Sequence, residues 1–283
     1  MAGPAGAYAQ QGHDAVRATF ELDWFARRIP RLLDAAGGGE LLDLGCGDGA
    51  AARLAGARLR RYVGVDLAPR EPRVVHHDLR EGLGPVGARP FDLYLGTFGV
   101  ASHLGPRDLA RLLSDVAAHA RPGAMVAVEA LGLSSLEWPQ LWGTAPGRSR
   151  MLRYRLASDV LVHPWSPREL FGLFERAGIT PLCAADRTLQ AGPKTGRYWP
   201  GLPDLRRALN GLIDGALADA EALIEPLPPL PASDAALLHR TLAARRRALW
   251  RGGVPSASDV WMLEPLTSRG FGHGLLVVGR VRG

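Results

Sequence analysis

The sequence predicts an α/β protein built on a doubly wound parallel sheet, with a helical insertion late in the chain. Strand and helix patterns alternate from residue 41 to residue 130, the rhythm of a parallel sheet with crossover helices. A turn with glycines at alternate positions joins the first strand to the helix after it, as at the ligand crevice of such sheets. Before the last strand, roughly 80 residues carry helical patterns split by prolines, too long for a plain connection inside one sheet.

Taken in order, Asp14 to Ala36 carries apolar residues at helical spacing: Val16, Phe20, Trp24, Phe25, Ile29, Leu32 and Leu33. Pro30 should break or kink that helix, and Gly37-Gly38-Gly39 stop it, so residues 1–36 read as an N-terminal helical cap. The strand candidates are Leu41–Leu44, Tyr62–Val65, Val74–His76, Leu93–Gly96 and Met125–Ala130, with helices over Ala50–Ala57 and Pro106–Ala120. Pro106 suits a first helical turn, where its missing N–H costs nothing, and Arg121-Pro122-Gly123 forms the turn into the fifth strand. The stretch holding Trp138 and Trp142 reads as a loop beside the site. Ser166, Pro167 and Glu169 carry a helix-start signature; the helix Pro167–Ala177 stops at Gly178, and Ile179–Ala184 is the sixth strand. Gly274–Val281 is the last. Between them, Leu205–Leu223 and Ser233–Arg251 are helical patterns divided by Pro226-Leu227-Pro228-Pro229-Leu230-Pro231. The core therefore spans 37–186 and 272–283, and 187–271 is an insertion serving as a lid or an oligomer contact. No internal repeat is visible.

The chain has 283 residues, 47% hydrophobic and 22% charged, enough to bury one large core with an insertion. Cys46 and Cys183 are its two cysteines, which argues against a disulfide framework or a zinc cluster, so no metal is expected. Met1 to Gln11 lacks the basic and apolar regions of a signal peptide, and no apolar run reaches the ~18–20 residues needed to span a bilayer. These features predict a soluble, cytoplasmic protein. The net charge of +6 invites a nucleic-acid partner. Lys194 is the only lysine, however, and the Ala-, Gly-, Leu- and Pro-rich composition points to a codon bias that raises charge without selection for polyanions.

The chemistry is concentrated in Glu40-Leu41-Leu42-Asp43-Leu44-Gly45-Cys46-Gly47-Asp48-Gly49. Without a Cβ, these glycines let the backbone turn sharply and approach a ligand closely. Pyrophosphate ligands favour helix-terminal N–H groups and no neighbouring carboxylates, whereas Asp43 and Asp48 flank this turn and suit a ligand carrying an ammonium and a sulfonium. Asp66 ends the second strand about twenty residues on, where a carboxylate accepts from both ribose hydroxyls. Asp78 follows the third strand, in position to accept from an adenine amine. Gly45-x-Gly47-x-x-Ala50 with Asp66 also satisfies the dinucleotide fingerprint, so a NAD-dependent oxidoreductase is an alternative; Asp43, Asp78 and the terminal hairpin argue against it.

Asp43-x-Gly45-x-Gly47-x-Gly49 resembles motif I of the class I S-adenosylmethionine-dependent methyltransferases. Val63-Gly64-Val65-Asp66 is similar to their second-strand motif, and His77-Asp78-Leu79 to their third. The fourth-strand segment corresponds to Phe91-Asp92-Leu93-Tyr94-Leu95-Gly96-Thr97-Phe98, and the next helix and strand to Leu112–Val128. The resemblance covers Glu40 to Ala184 and the last strand. It implies a Rossmann-like seven-stranded sheet, mostly parallel, with Gly274–Val281 as an antiparallel seventh strand beside the sixth. It also implies S-adenosylmethionine as cofactor, its methionine moiety lined by Gly45 and Gly47, its ribose bound by Asp66, and its adenine flanked by Asp78 and Leu79. Asp43, Cys46, Asp48 and Leu67 complete the expected cofactor set, and Thr97 and Phe98 would lie where cofactor and acceptor meet.

Methyl transfer from a sulfonium is a direct displacement, so the protein mainly aligns the reactants and excludes water. A general base is needed only where the nucleophile must shed a proton early. His103, just after the fourth strand, is the best-placed base, its reference pKa being about 6.5; the alternative is a local packing role. His163 fits a turn or the acceptor site, and His273 reaches the crevice only if the insertion folds back. Trp24 and Trp138 are candidates to wall an acceptor pocket, as are Phe20, Trp142 and Trp165, although aromatics at helical spacing are commonly core. Gly96-Thr97-Phe98-Gly99 lacks the Asn/Asp-Pro-Pro-aromatic motif of nucleobase amine methylation. No cysteine is placed for cytosine methylation, no double-glutamate hairpin for protein arginine, and no carboxylate spacing for a magnesium-dependent catechol enzyme. A small-molecule acceptor remains, with O-methylation slightly favoured over N or C. The rival is an RNA-directed or RNA-binding protein using Arg245, Arg246 and Arg247 beside Trp250; a solvated helix face or a homo-oligomer contact also accounts for that run.

Overall fold

Buried strands read as near-continuous apolar runs when both faces of a parallel sheet are covered, and the first, fourth and fifth strands here have that character. In the computed structural model, which describes residues 21–68, 74–133, 152–153, 161–186, 222, 225–226 and 274–283, they become β1 (Glu40–Leu44), β4 (Leu93–Gly96) and β5 (Met125–Leu131), buried along their whole length. With β2 (Arg61–Asp66), β3 (Val74–His76), β8 (Ile179–Asp186) and β9 (Gly274–Val281), they form a seven-stranded sheet in the order β3-β2-β1-β4-β5-β9-β8. The pairs among β1 to β5 are parallel. The last strand runs antiparallel between β5 and β8, as the resemblance implied. Strand order reverses between β2 and β4 around β1, which opens a crevice beyond the carboxyl ends of those strands.

Alternation along each strand splits the core into two layers. Leu41, Leu93, Leu95, Met125 and Ala127 point to one face, with Trp24, Phe25, Ile29, Leu32 and Leu33 of α1 (Leu22–Ala36) and Ala51 and Ala55 of α2 (Ala50–Ala55). Leu42, Tyr94 and Val126 point to the other, under Leu109, Leu112 and Leu113 of α3 (Pro106–His119) and Leu170 and Phe174 of α4 (Pro167–Arg176). Each such side chain removed from water stabilises the fold by about 1.5–3 kcal/mol, so the two layers dominate the stability. At the amino ends of the strands, Glu40 and Asp92 are buried beneath Arg60, Arg61, Arg89 and Arg121, far from the crevice.

Several expectations are corrected. The break at Pro30 does not occur: α1 runs through it unbroken, because Ile29 before the proline and Leu32 and Leu33 after it are all buried on the sheet. The helix after the glycine turn ends at Ala55 and continues as a 3-10 turn over Gly56–Arg58, not to Ala57. Downstream of β5, the stretch read as a loop contains a two-stranded antiparallel hairpin, β6 (Leu152–Arg153) with β7 (Leu161–Val162). The sixth strand of the sequence analysis, here β8, extends to Asp186 with an irregularity between Pro181 and Cys183. Ser166 does cap α4 reciprocally with Glu169, and Pro106 opens α3. The helical patterns of the insertion and residues 1–20 of the N-terminal cap lie outside the described residues. Among the described residues, no helix is long and apolar enough to cross a membrane.

Gly279 lies in the middle of β9, where a Cβ would stand 2.7 Å from both Ile179 Cγ2 and Phe174 Cδ1 and 2.9 Å from the Thr180 carbonyl. Overpacking of this kind costs about 1–3 kcal/mol. Gly279→Ala should therefore lower the urea midpoint correspondingly, with an unchanged denaturant slope, in equilibrium unfolding followed by circular dichroism.

Candidate functional site

The carboxyl end of β1 runs into a turn whose geometry only its glycines can supply. Gly45 and Gly47 sit at φ +69° and +53°, in the left-handed region that costs an L-residue roughly 1–2 kcal/mol. A Cβ on Gly45 would meet Val100 Cγ2 at 2.6 Å, while one on Gly47 would meet nothing within 4 Å. The first glycine is thus required by packing. The second holds the backbone bare towards open space.

This turn is tied to the neighbouring strand by hydrogen bonds. The Gly45 and Cys46 N–H groups donate to the Val65 carbonyl at 2.8 and 3.1 Å. At the tip of β2, Asp66 accepts from the Gly47 N–H through Oδ2 at 2.8 Å and from the Ala68 N–H through Oδ1 at 2.9 Å. Each carboxylate oxygen has two lone pairs, so Asp66 keeps acceptor capacity toward the crevice. Asp48 accepts from the Ala50 N–H at 3.2 Å and pairs with Arg53 at 3.0 Å, fixing the start of α2.

Asp43 is the anomalous member. It lies one residue inside the end of β1 and is 1% exposed. Its Oδ2 accepts from the Tyr62 hydroxyl at 3.1 Å, but its Oδ1 is buried without a hydrogen-bond partner. Burial raises its pKa from 3.8 to about 7; the Tyr62 hydrogen bond opposes that rise, and the charges of Asp66 and Asp48 add to it. A buried acceptor left unmade costs roughly 1–3 kcal/mol, and among the described residues no donor offsets that cost at Oδ1. Burial, with Asp43 and Asp66 nearby, also pushes the Cys46 thiol up to about 12, keeping it neutral and non-nucleophilic.

Around the turn, Leu67 at the tip of β2 is 40% exposed, an apolar surface open to a ligand's flat face. Asp78 caps a 3-10 turn over Leu79–Glu81 by accepting from the Arg80 N–H at 2.9 Å. The Arg80 guanidinium also grips both its oxygens, at 2.6 to 3.0 Å, and these bonds hold its pKa below the usual carboxylate value. The acid expected to meet an adenine amine is thus held in place by Arg80. Leu79 is buried beside it.

Past β4, Thr97 is buried and Phe98 stands at φ +55°, the only non-glycine with positive φ among the described residues. For a bulky side chain this is a strained conformation, and such outliers cluster at working sites. Two contacts accompany it. The Gly99 N–H donates to Glu129 Oε2 at 3.0 Å, and the Phe98 ring packs edge-on against Phe25 of α1 at 4.9 Å. Glu129 is 1% exposed in the middle of β5 and escaped the sequence analysis. The available signal was a carboxylate inside Met-Val-Ala-Val-Glu-Ala-Leu, since a buried charge is retained only with partners.

His103 closes a 3-10 turn over Val100–His103, and burial drops its pKa to about 4. The same turn meets the segment carrying His163: the Ser102 carbonyl accepts from the His163 N–H at 2.7 Å, and the Ala101 carbonyl from the Trp165 indole at 3.0 Å. His163 itself is buried, its ring 4.4 Å from Trp165. Trp24, read as a pocket wall, is instead a core residue with 0% exposure, packed on Phe25 and under the Arg28 guanidinium. Trp138 and His273 lie outside the described residues.

Compared with known proteins, residues 18–184 match the family model described as a methyltransferase domain. The chain is similar in structure to a SAM-dependent methyltransferase from Archaeoglobus fulgidus, at 14% identity over 93% of this chain and 97% of that one, with a TM-score of 0.51. It is also similar to an S-adenosylmethionine-dependent methyltransferase from Clostridium acetobutylicum (14% identity, 64% and 90% covered, TM-score 0.49). A third likeness is to 1,6-didemethyltoxoflavin-N1-methyltransferase from Burkholderia thailandensis (19%, 66% and 78%, 0.48). No curated protein sequence matches the chain. The family match spans more than half of the chain, which belongs to the methyltransferase domain family and whose sequence motifs imply S-adenosylmethionine as cofactor. The residues fit that cofactor: a buried orphan acceptor for its ammonium, a bare backbone at Gly47, acceptor capacity at Asp66 and an exposed Leu67.

Because the fold binds the Asp43 proton more tightly than the unfolded chain does, this group's contribution to stability falls as pH rises from 3.8 to about 7. Asp43→Asn removes the ionisation. Without ligand at pH 8, the variant should gain on the order of 1–3 kcal/mol in denaturant unfolding, while losing affinity for S-adenosylhomocysteine in calorimetric titration.

Proposed function

We propose that S-adenosylmethionine lies across the carboxyl ends of β1, β2 and β3 and that its methyl group passes to a small organic acceptor, with a hydroxyl acceptor favoured. The Oδ1 of Asp43 carries this reading: Oδ2 accepts from Tyr62 while Oδ1 is buried without a partner among the described residues, and the ammonium of the cofactor is a fitting donor. Gly45, Cys46, Gly47 and Asp48 would line the methionine moiety, Asp66 would accept from the ribose hydroxyls, and Leu67, Asp78 and Leu79 would flank the adenine. The bound cofactor supplies a methyl on a positively charged sulfur, already a good leaving group.

What the chain contributes is alignment and exclusion of water. Thr97 and the strained Phe98 would stand at the meeting point of donor and acceptor, held by Glu129 and by Phe25 of α1. His103 would face the acceptor as a neutral imidazole at every pH above about 4. Such a histidine accepts a hydroxyl proton as the new bond forms, and is too weak a base to strip it beforehand. An amine sheds its proton after attack and has less need of it, which supports the hydroxyl preference. His163, on the adjoining segment, would shape the acceptor side. The basic run Arg245 to Arg247 lies outside the described residues, and a nucleic-acid acceptor forms no part of the proposal.

Two measurements test this reading. Asp66→Ala should weaken S-adenosylhomocysteine by about tenfold or more in calorimetry, since a hydrogen bond to a charged group contributes ~1.5–3 kcal/mol; unchanged affinity would remove the cofactor from this crevice. Once an acceptor has been identified by screening, His103→Ala should lower kcat by about a hundredfold with little change in cofactor affinity. The wild-type rate should then stay flat between pH 5 and 7, because the imidazole titrates near 4 and not at its usual 6.5. An inflection near 6.5 that vanishes in the variant would contradict that environment.

A further inference from the structure

Beside the buried Asp43 lies a polar side chain that neither the glycine turn nor the motif pattern accounts for. Tyr62, the second residue of β2, reaches across to β1 and donates its hydroxyl to Asp43 Oδ2 at 3.1 Å. Space for that reach is cleared by Gly64, the register partner of Asp43. A Cβ on Gly64 would stand 3.0 Å from the Tyr62 hydroxyl and 2.6 Å from Cys46 Sγ. Tyrosine, glycine and cysteine thus pack as one unit around a single carboxylate.

We infer that Tyr62 is a positioning residue for the cofactor's ammonium: by occupying Oδ2 of Asp43 it fixes the carboxylate and leaves Oδ1 as its one unpaired acceptor. The inference rests on the cofactor placement proposed above. Its geometric basis is the contrast between the two oxygens, one satisfied by Tyr62 and the other buried without a partner. The groups facing Asp43 are Tyr62, Asp66 and Asp48, with Cys46 packed beside them. All are neutral or acidic, so the tyrosine hydroxyl is the element of this set that favours the charged form. Burial and the two acids oppose it, leaving Asp43 with a pKa of about 7.

A proton balance follows. In the free protein near neutral pH, part of the population carries a proton on Asp43. Docking of an ammonium requires the carboxylate, so that proton is released to buffer on binding. A hydrogen bond to a charged acceptor changes proton affinity by roughly tenfold. Losing the hydroxyl should raise the Asp43 pKa accordingly and make cofactor binding more sensitive to pH.

The test is calorimetry of Tyr62→Phe, which keeps the ring, with two ligands. S-adenosylhomocysteine carries the ammonium without the sulfonium, and 5′-methylthioadenosine lacks the amino-acid portion altogether. The expected result is about fivefold weaker S-adenosylhomocysteine binding at pH 7, shrinking to within about 1.5-fold at pH 8.5. More proton release is expected at pH 7, by comparison of buffers with different ionisation enthalpies, while 5′-methylthioadenosine should bind wild type and variant equally at both pH values. Equal weakening of S-adenosylhomocysteine at both pH values, or any comparable loss for 5′-methylthioadenosine, would make Tyr62 a merely structural residue and overturn the inference. Failure of the underlying placement has a different signature: Asp66→Ala would then leave 5′-methylthioadenosine binding intact.

Discussion

The organisation of this site depends on a carboxylate buried where no cation among the described residues neutralises it. Asp43 sits 1% exposed at the end of β1, with Asp48 and Asp66 on either side of the same glycine turn. Isolated buried charge is expensive, and proteins normally remove it by pairing or by a shifted pKa. Here the second route operates in the free protein, and the proposed cationic ligand would supply the first, so that stability and binding would pull Asp43 in opposite directions.

Around that carboxylate, the fold provides support of two kinds. Hydrogen bonds from Gly45 and Cys46 to Val65, and from Gly47 to Asp66, fasten the turn to β2. On the other side of β1, the Phe98–Gly99 corner is held away from its relaxed geometry by Glu129 from β5 and packed against Phe25 from α1. Backbone strain of this sort, on the order of 1–3 kcal/mol, persists only when its surroundings over-determine it. The two supports meet at Val100, whose methyl group fills the space a side chain on Gly45 would need.

The histidines show how the same burial changes the chemistry available. His103 is kept neutral by desolvation, which suits a displacement that already has a good leaving group and needs little proton transfer. Its turn is knitted to the segment carrying His163 and Trp165 through main-chain carbonyls of Ala101 and Ser102. That turn is also tied to the end of β5, where the Leu131 N–H donates to Ser102 Oγ at 2.8 Å.

Local spacing within the chain determined the strand and helix order, the apolar faces, the reciprocal cap of Ser166 with Glu169, and the glycine turn with its flanking acids. Those features depend on residues a few positions apart, so a linear reading reaches them. Only the tertiary structure decided the rest. Pro30 stays helical because its neighbours are buried on the sheet, and Trp24 is core because α1 lies flat on that face. The strained Phe98 corner is held by Glu129 from another strand. Strand register likewise put Asp43 opposite Gly64 and within reach of Tyr62. Each of these depends on which distant side chains share one desolvated space, where a missing partner costs more than any local preference can recover. That competition is settled between elements and leaves no trace in the spacing of a single segment.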